Sequence, residues 1–231
     1  MSTRASADAA PTVPTNSAVD EAADEVELKA AVPDPEALRA RLVGAGARLV
    51  FAGRLEDRRY DTRAGTLARR DEVLRLRVAT AGDGDPGASA ATVDWKGPTR
   101  HEGGYKVREE RSTTVGDAAV TALVFGRLGM VVTRAIDREI AQYVLDGPAG
   151  AASVRLERYP RMDVLVEVEG TPAAIEHAIA VTGLPRAAFT TARLSEFALA
   201  FERRTGLRAA VCDAELAAAG PAAGPAAGPA A

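Results

Sequence analysis

Charged and apolar side chains take strict turns in segment after segment of this chain, and that alternation limits what it can fold into more than any single motif does. The stretch EVELK puts Glu25, Glu27 and Lys29 on one face of a strand and Val26 and Leu28 on the other. Arg75 and Arg77 flank Leu76 in LRLR, and Lys106, Arg108 and Glu110 alternate in KVREE. Glu167 and Glu169 alternate with Val166 and Val168 in VLVEVEG. Lys96 follows Trp95, Glu157 sits in LERYP, and Arg134 and Arg138 share a strand face with Ile136. Any one of these segments reads as a half-buried antiparallel strand with its charges in water.

Gly and Pro punctuation predicts strands over residues 25–29, 48–60, 72–79, 91–96, 104–111, 130–144, 152–157 and 163–169, the sixth with a bend. Four helices lie among them, recognised by their caps. Asp34 before Pro35 and Glu36 starts the first, which carries Leu38 and Leu42 up to Gly44 and Gly46. Asp117 starts the second, with Val120, Leu123, Val124 and Leu128 before Gly129. Thr171 with Pro172 starts the third, which ends at Gly183. The fourth spaces Leu194, Phe197, Ala198 and Phe201 at helical intervals and stops at Gly206. The first two helices are each followed by a glycine and a long strand containing a tyrosine, Tyr60 or Tyr143, which hints at a duplicated half.

Eight antiparallel strands in a chain of 231 residues either close on themselves or stack as a sandwich, because open edges invite aggregation. The helices each have one apolar side that needs a partner, and the apolar strand faces are the available surface. Helices outside a barrel would pack on Val26, Leu28, Leu76, Val107, Val166 and Val168, which turns the charged faces into the lumen. The expected fold is therefore α+β: a closed eight-stranded antiparallel β-barrel with helices packed outside. Its lining would hold eight bases (Lys29, Arg75, Arg77, Lys96, Lys106, Arg108, Arg134, Arg138) and six acids (Glu25, Glu27, Glu110, Glu157, Glu167, Glu169), a net of +2. With the charges outward instead, the barrel would have an apolar lumen.

An interior lined this way is stable only if wet, mutually paired, or filled by ligand and metal. Arginine's planar fork suits phosphate oxygens, and the six grouped glutamates of the lining, Glu110 among them, without histidine or thiolate suit a hard cation such as Mg2+ or Mn2+. A divalent ion between a polyphosphate and the carboxylates would let like signs coexist.

The ends differ from the middle. Residues 1–22 hold almost no large apolar group and read as a disordered arm, residues 23–206 as the folded domain, and residues 207–231, with the repeats around Gly220, Gly224 and Gly228, as a low-complexity tail. Neither a secretory signal nor a membrane-spanning stretch is present, so the expected location is the cytoplasm. The net charge of −3 gives no nucleic-acid footprint, no membrane partner is expected, and a homodimer remains open. The lone Cys212 rules out a disulfide framework or a Cys-based zinc site. GDGDPG at 82–87 satisfies GxGxxG without a helix start behind it, and reads as a hairpin loop. His101 and His177 read as surface or packing residues, Asp57 and Asp61 as turn-end surface acids with contact to the metal as the alternative, and Trp95 as barrel wall.

The ordered set EVELK, LRLR, TVDWKGP, KVREE and VEVEG over about residues 25–205 resembles the CYTH family of triphosphate tunnel enzymes, which includes class IV adenylyl cyclases, thiamine triphosphatases and inorganic triphosphatases. The resemblance implies metal binding by Glu25, Glu27, Glu167 and Glu169, with Glu157 where the family usually has aspartate. It implies a triphosphate gripped by Arg75, Arg77, Lys96 and Arg108, with Lys29 near the reacting phosphate. ATP, tripolyphosphate and thiamine triphosphate are the substrates it suggests. TVDWKGP and DRRYD at 57–61 look nearer to the cyclase branch. A non-catalytic polyphosphate-binding or nucleotide-binding module is the alternative of another class.

Overall fold

A computed structural model describes residues 23–82 and 89–219. Residues 1–22, residues 83–87 of GDGDPG, and the tail from Gly220 onward lie outside the described residues. The elements run β1 (Ala23–Ala31), α1 (Pro35–Gly44), β2 (Arg48–Thr62), β3 (Val73–Ala81), β4 (Ser89–Lys96), β5 (Arg100–Glu102), β6 (Tyr105–Val115), α2 (Ala118–Arg127), β7 (Met130–Gly147), β8 (Gly150–Arg158), β9 (Leu165–Glu169), α3 (Pro172–Thr182), α4 (Leu194–Thr205) and α5 (Asp213–Ala219).

All pairings among the strands are antiparallel, in the order β1-β9-β8-β7-β2-β3-β4-β6, and β6 pairs back onto β1 to close the barrel. The eight expected strands are the eight staves, and the short β5 adds only a flap on β6. The duplication hint has a geometric counterpart. α1 joins β1 to β2 and α2 joins β6 to β7, and in each case the second strand lies four places round the barrel from the first. The bend expected in the sixth strand is a register shift: Arg59 opposes Arg134 and Tyr60 opposes Val132, leaving Thr133 extra.

The helix starts follow from their caps. Asp34 accepts from the Ala37 N–H at 2.9 Å, Asp117 from that of Val120 at 2.9 Å, and Thr171 from that of Ala174 at 3.3 Å. Gly183 and Gly206 close α3 and α4 at φ +72°, where a side chain would be strained. The main core lies outside the barrel wall. Leu38 and Leu42 of α1 and Ile175 and Ile179 of α3 pack on Leu28, Val154, Val166 and Val168, the apolar sides of the alternating strands. That orientation sends Glu27, Lys29 and Glu167 the other way.

Two helices depart from expectation. α2 docks through Phe125, whose ring meets Tyr60 edge to face at 5.0 Å, and this fixes its rotation. Its predicted buried side is therefore exposed, with Val120 at 54% and Leu123 at 59%. α4 packs Leu194 and Phe197 against Ile136, Tyr159, Leu165 and Val211, and Leu194 and Ser195 of its first turn border the barrel interior. The folded part also runs past residue 206. Ala210, Val211 and Cys212 are buried, the Val211 carbonyl accepts from the Asp137 N–H at 2.8 Å, and the Asp213 N–H donates to the Asp137 carboxylate at 3.0 Å. No helix among the described residues is long and apolar enough to cross a membrane.

Candidate active site

The barrel encloses a cavity of about 560 Å³, and every base and acid expected on the lining faces it. Each arrives there by the period-two rule once the apolar neighbours are held by the outer core. Most of these charges are spent on one another. On the β1 side, Glu25 accepts from the Lys96 ammonium at 2.5 Å, and Glu27 accepts from Lys106 and, at 2.8 Å, from Lys29. Lys29 also pairs with Glu167, while Arg155 reaches Glu167 at 3.1 Å and Glu169 at 2.7 Å.

The far wall is organised around Asp57, which is only 2% exposed. It accepts two bonds from Arg77 at 2.7 and 2.9 Å and one from Arg138 at 2.9 Å, with Arg75 at 3.6 Å. Arg75 also donates to Asp94 at 2.7 Å and to Glu110 at 3.3 Å. Arg138 donates to Glu157 at 3.0 Å, and the Tyr159 hydroxyl donates to the same carboxylate at 2.6 Å. Arg108 donates to the backbone carbonyls of Gly97 at 2.7 Å and Asp71 at 2.6 Å, so part of its capacity is used to hold loops.

This pairing sets the protonation states. Burial alone would lower the Lys29 pKa, but Glu167 and Glu27 raise it well above the usual value, so Lys29 stays an ammonium. Burial would raise Asp57, yet Arg77, Arg138 and Arg75 hold its carboxyl well below the usual range. Glu169 goes the other way: burial drives it well above the carboxylate range, Arg155 opposes, and the nearby Glu167 and Glu25 add to the rise.

Glu25, Glu27 and Glu169 each present one carboxylate oxygen within 4.8 Å of the others. The register explains the trio, since Glu27 faces Glu169 across the β1–β9 pair and Glu25 follows two residues away on the same face. Three converging donors that are all carboxylate oxygens fit a hard divalent cation of the Mg2+ or Mn2+ kind. Glu110, Glu157 and Glu167, also expected as metal ligands, are not in this trio. They face the cavity but are held by Lys96 and Arg75, by Arg138 and Tyr159, and by Lys29 and Arg155 respectively.

Six charged lining residues fall outside the expected set: Asp57, Arg59, Asp71, Asp94, Arg155 and Arg193. Asp57 and Asp61 are corrections to the surface reading. Asp57 anchors the arginines, and the buried Asp61 accepts from the backbone N–H groups of Thr62, Leu67 and Ala68 at 2.7, 2.9 and 2.9 Å, which closes the turn after β2. His101 is exposed and His177 half-buried on α3, and neither borders the cavity. At another part of the lining, Leu55, Ala79 and Ile140 form an apolar patch backed by Phe51. GDGDPG lies between β3 and β4, which pair antiparallel, as a hairpin loop requires.

The sequence matches no protein-family model and no curated protein. The fold does match solved structures. A "putative adenylate cyclase" from Vibrio parahaemolyticus superposes with a TM-score of 0.62 at 18% identity, over 77% of this chain and 98% of that one. The PH1819 protein from Pyrococcus horikoshii OT3 gives 0.59 at 19%, over 78% and 99%. HpAC1 from Hippeastrum, described as a "putative adenylyl cyclase" with a dominant triphosphatase activity, gives 0.53 at 18%, over 79% and 96%. At these identities the likeness establishes a shared barrel fold.

Proposed function

We propose that the CYTH-type barrel this chain shares with those structures works here as a divalent-metal-dependent enzyme on a triphosphate substrate. One observation carries the reading: the barrel cavity sets three convergent carboxylates against a wall of arginines and lysines. Glu25, Glu27 and Glu169 would hold Mg2+ or Mn2+, which when bound supplies charge neutralisation and Lewis acidity toward phosphate oxygens. Lys29 is fixed as a cation between Glu27 and Glu167, so its role is to stabilise negative charge building on the reacting phosphate, and it is unsuited to act as a base. The basic residues of β3, β4, β6 and β7 bind and orient the phosphate chain by charge-assisted hydrogen bonds.

Within this class the reading we favour is cyclase-like, converting ATP to cyclic AMP and pyrophosphate. Its support is the apolar patch of Leu55, Ala79 and Ile140, a surface that suits a nucleoside and that a bare inorganic chain would not use. In that reaction the ribose 3′-hydroxyl attacks the α-phosphate and pyrophosphate leaves. A triphosphatase would instead direct water at the terminal phosphate with the same clamp. The deciding experiment offers the purified protein ATP and tripolyphosphate side by side with Mg2+ or Mn2+. Cyclic AMP with pyrophosphate supports the cyclase, and released orthophosphate supports the hydrolase. Tight binding without turnover would overturn the enzymatic reading in favour of a binding module.

A further inference from the structure

Two cations of the cavity wall stand outside the paired network. Arg59 on β2 and Arg134 on β7 occupy directly facing register positions, and Arg59 also faces Arg75 on β3. All three border the cavity. Like charges at facing positions of an antiparallel pair repel, and a sheet normally avoids them. Arg75 is neutralised by Asp94, Glu110 and Asp57. Arg59 and Arg134 are different: among the described residues neither guanidinium donates a hydrogen bond or meets a carboxylate at ion-pair distance.

The Nε of Arg59 is shut off from solvent and has no acceptor. A shielded donor without a partner costs stability, so this one needs an explanation. The surroundings agree. Burial, with Arg75 and Arg134 adding, pushes the Arg59 pKa down to about 10, and only Asp57 opposes. Asp57 already serves Arg75, Arg77 and Arg138. A guanidinium that lacks an anion, beside a second one in the same condition, is arranged for an anion that comes from outside the chain.

We propose that Arg59 and Arg134 form a phosphoryl subsite on the wall opposite β1, receiving part of the phosphate chain that the carboxylate trio and its cation do not hold. The proposal rests on the polyphosphate reading above and adds to it. The arginines of LRLR are already neutralised by the protein's own acids and Arg108 is held by backbone carbonyls, so the guanidiniums with neither kind of partner are Arg59 and Arg134. Two planar forks facing one another suit a doubly charged phosphoryl group with three free oxygens.

The test uses the full chain and tripolyphosphate, titrated calorimetrically with and without Mg2+, together with thermal unfolding of the ligand-free protein. Arg59→Gln and Arg134→Gln should each weaken tripolyphosphate binding at least about tenfold, the loss expected for a hydrogen bond to a charged group. They should also raise the ligand-free Tm, because each removes a repulsion and Arg59→Gln also removes an orphaned charge. Arg59→Glu, which would pair with Arg134, should raise Tm further and abolish binding. Arg63→Gln, at an exposed position, is the charge-matched control and should leave affinity unchanged. Wild-type protein that binds while the Arg59 and Arg134 variants bind equally well overturns the subsite alone. A fall in ligand-free Tm with unaltered affinity does the same, since it marks a structural role. Wild-type protein that binds neither tripolyphosphate nor ATP overturns the functional reading and the subsite together.

Discussion

Replacing Asp57 by Asn tests the idea that the tunnel is held together by its own charges. Asn keeps the shape, so no cavity term enters, but it removes the one anion shared by Arg75, Arg77 and Arg138. Asp57 is 2% exposed, so solvent screening gives little relief. Breaking a buried pair by deleting one partner costs about 3–5 kcal/mol, because the remaining charge is left uncompensated. For a chain of this size each kcal/mol moves Tm by about 2–4 °C, which gives a drop of about 6–20 °C. Thermal unfolding followed by circular dichroism measures it. A second variant identifies the cause. Among the described residues Arg77 meets no carboxylate at ion-pair distance besides Asp57, so adding Arg77→Gln to Asp57→Asn should recover part of the loss, with a coupling of at least about 1 kcal/mol. A Tm drop below about 2 °C, or strict additivity of the two substitutions, would refute the reasoning.

Three further outcomes are expected. Glu27→Gln takes one oxygen donor from the trio and should lower Mn2+ affinity by at least the ~10–100-fold that even outer-sphere partners cost, with circular dichroism unchanged; calorimetry showing wild-type affinity would remove Glu27 from the site. Asp57 and Asp94 both have folded pKa values held below their ordinary ones, so the stability they contribute is complete above about pH 4, near the unfolded value, and is lost as pH falls through the folded values. Urea midpoints should therefore drop below about pH 4, with a shallower acid limb in Asp57→Asn, and identical limbs would contradict this. In Gly53→Ala on β2 the added methyl would sit 2.2 Å from the Thr80 carbonyl oxygen, so the β2–β3 pair must part, at about 1–3 kcal/mol; a wild-type Tm would show that the strands yield freely.

The barrel was legible because two requirements in the sequence had a single joint solution. Strands such as EVELK and VLVEVEG have one charged and one apolar face, and α1 and α3 bring Leu38, Leu42, Ile175 and Ile179 to the apolar one. The same period-two rule, carried back two residues from Lys96 and from Glu157, also reaches Asp94 and Arg155, which face the cavity as it requires. Asp57 and Arg59 lay beyond that rule, since Glu56, Asp57, Arg58 and Arg59 put charge on both faces of β2 and leave no apolar side to mark the inside. There the outer charges are claimed from far along the chain: Arg58 donates to Asp137 at 2.6 Å, and Arg54 to Asp213 at 2.5 Å. The rotation of α2 was equally hidden, because Phe125 docking on Tyr60 outweighs a stripe of smaller apolar groups, and nothing local to the helix records that preference.

The charge balance of the cavity connects its stability to the proposed chemistry. Eleven bases and nine acids border it, a net of +2. Most are matched within the protein, so the wall can stand without ligand; among the described residues Arg108 is held by backbone carbonyls, and Arg59 and Arg134 have no carboxylate at ion-pair distance and no hydrogen-bond acceptor. A triphosphate brings about four negative charges, twice what the surplus can neutralise. One divalent cation at Glu25, Glu27 and Glu169 would make up the difference. Anion and cation binding should therefore be mutually dependent, each strengthening the other by the same factor. Calorimetric titrations of Mn2+ with and without tripolyphosphate measure that factor directly, and a value of one would mean that the two halves of the cavity do not share a ligand.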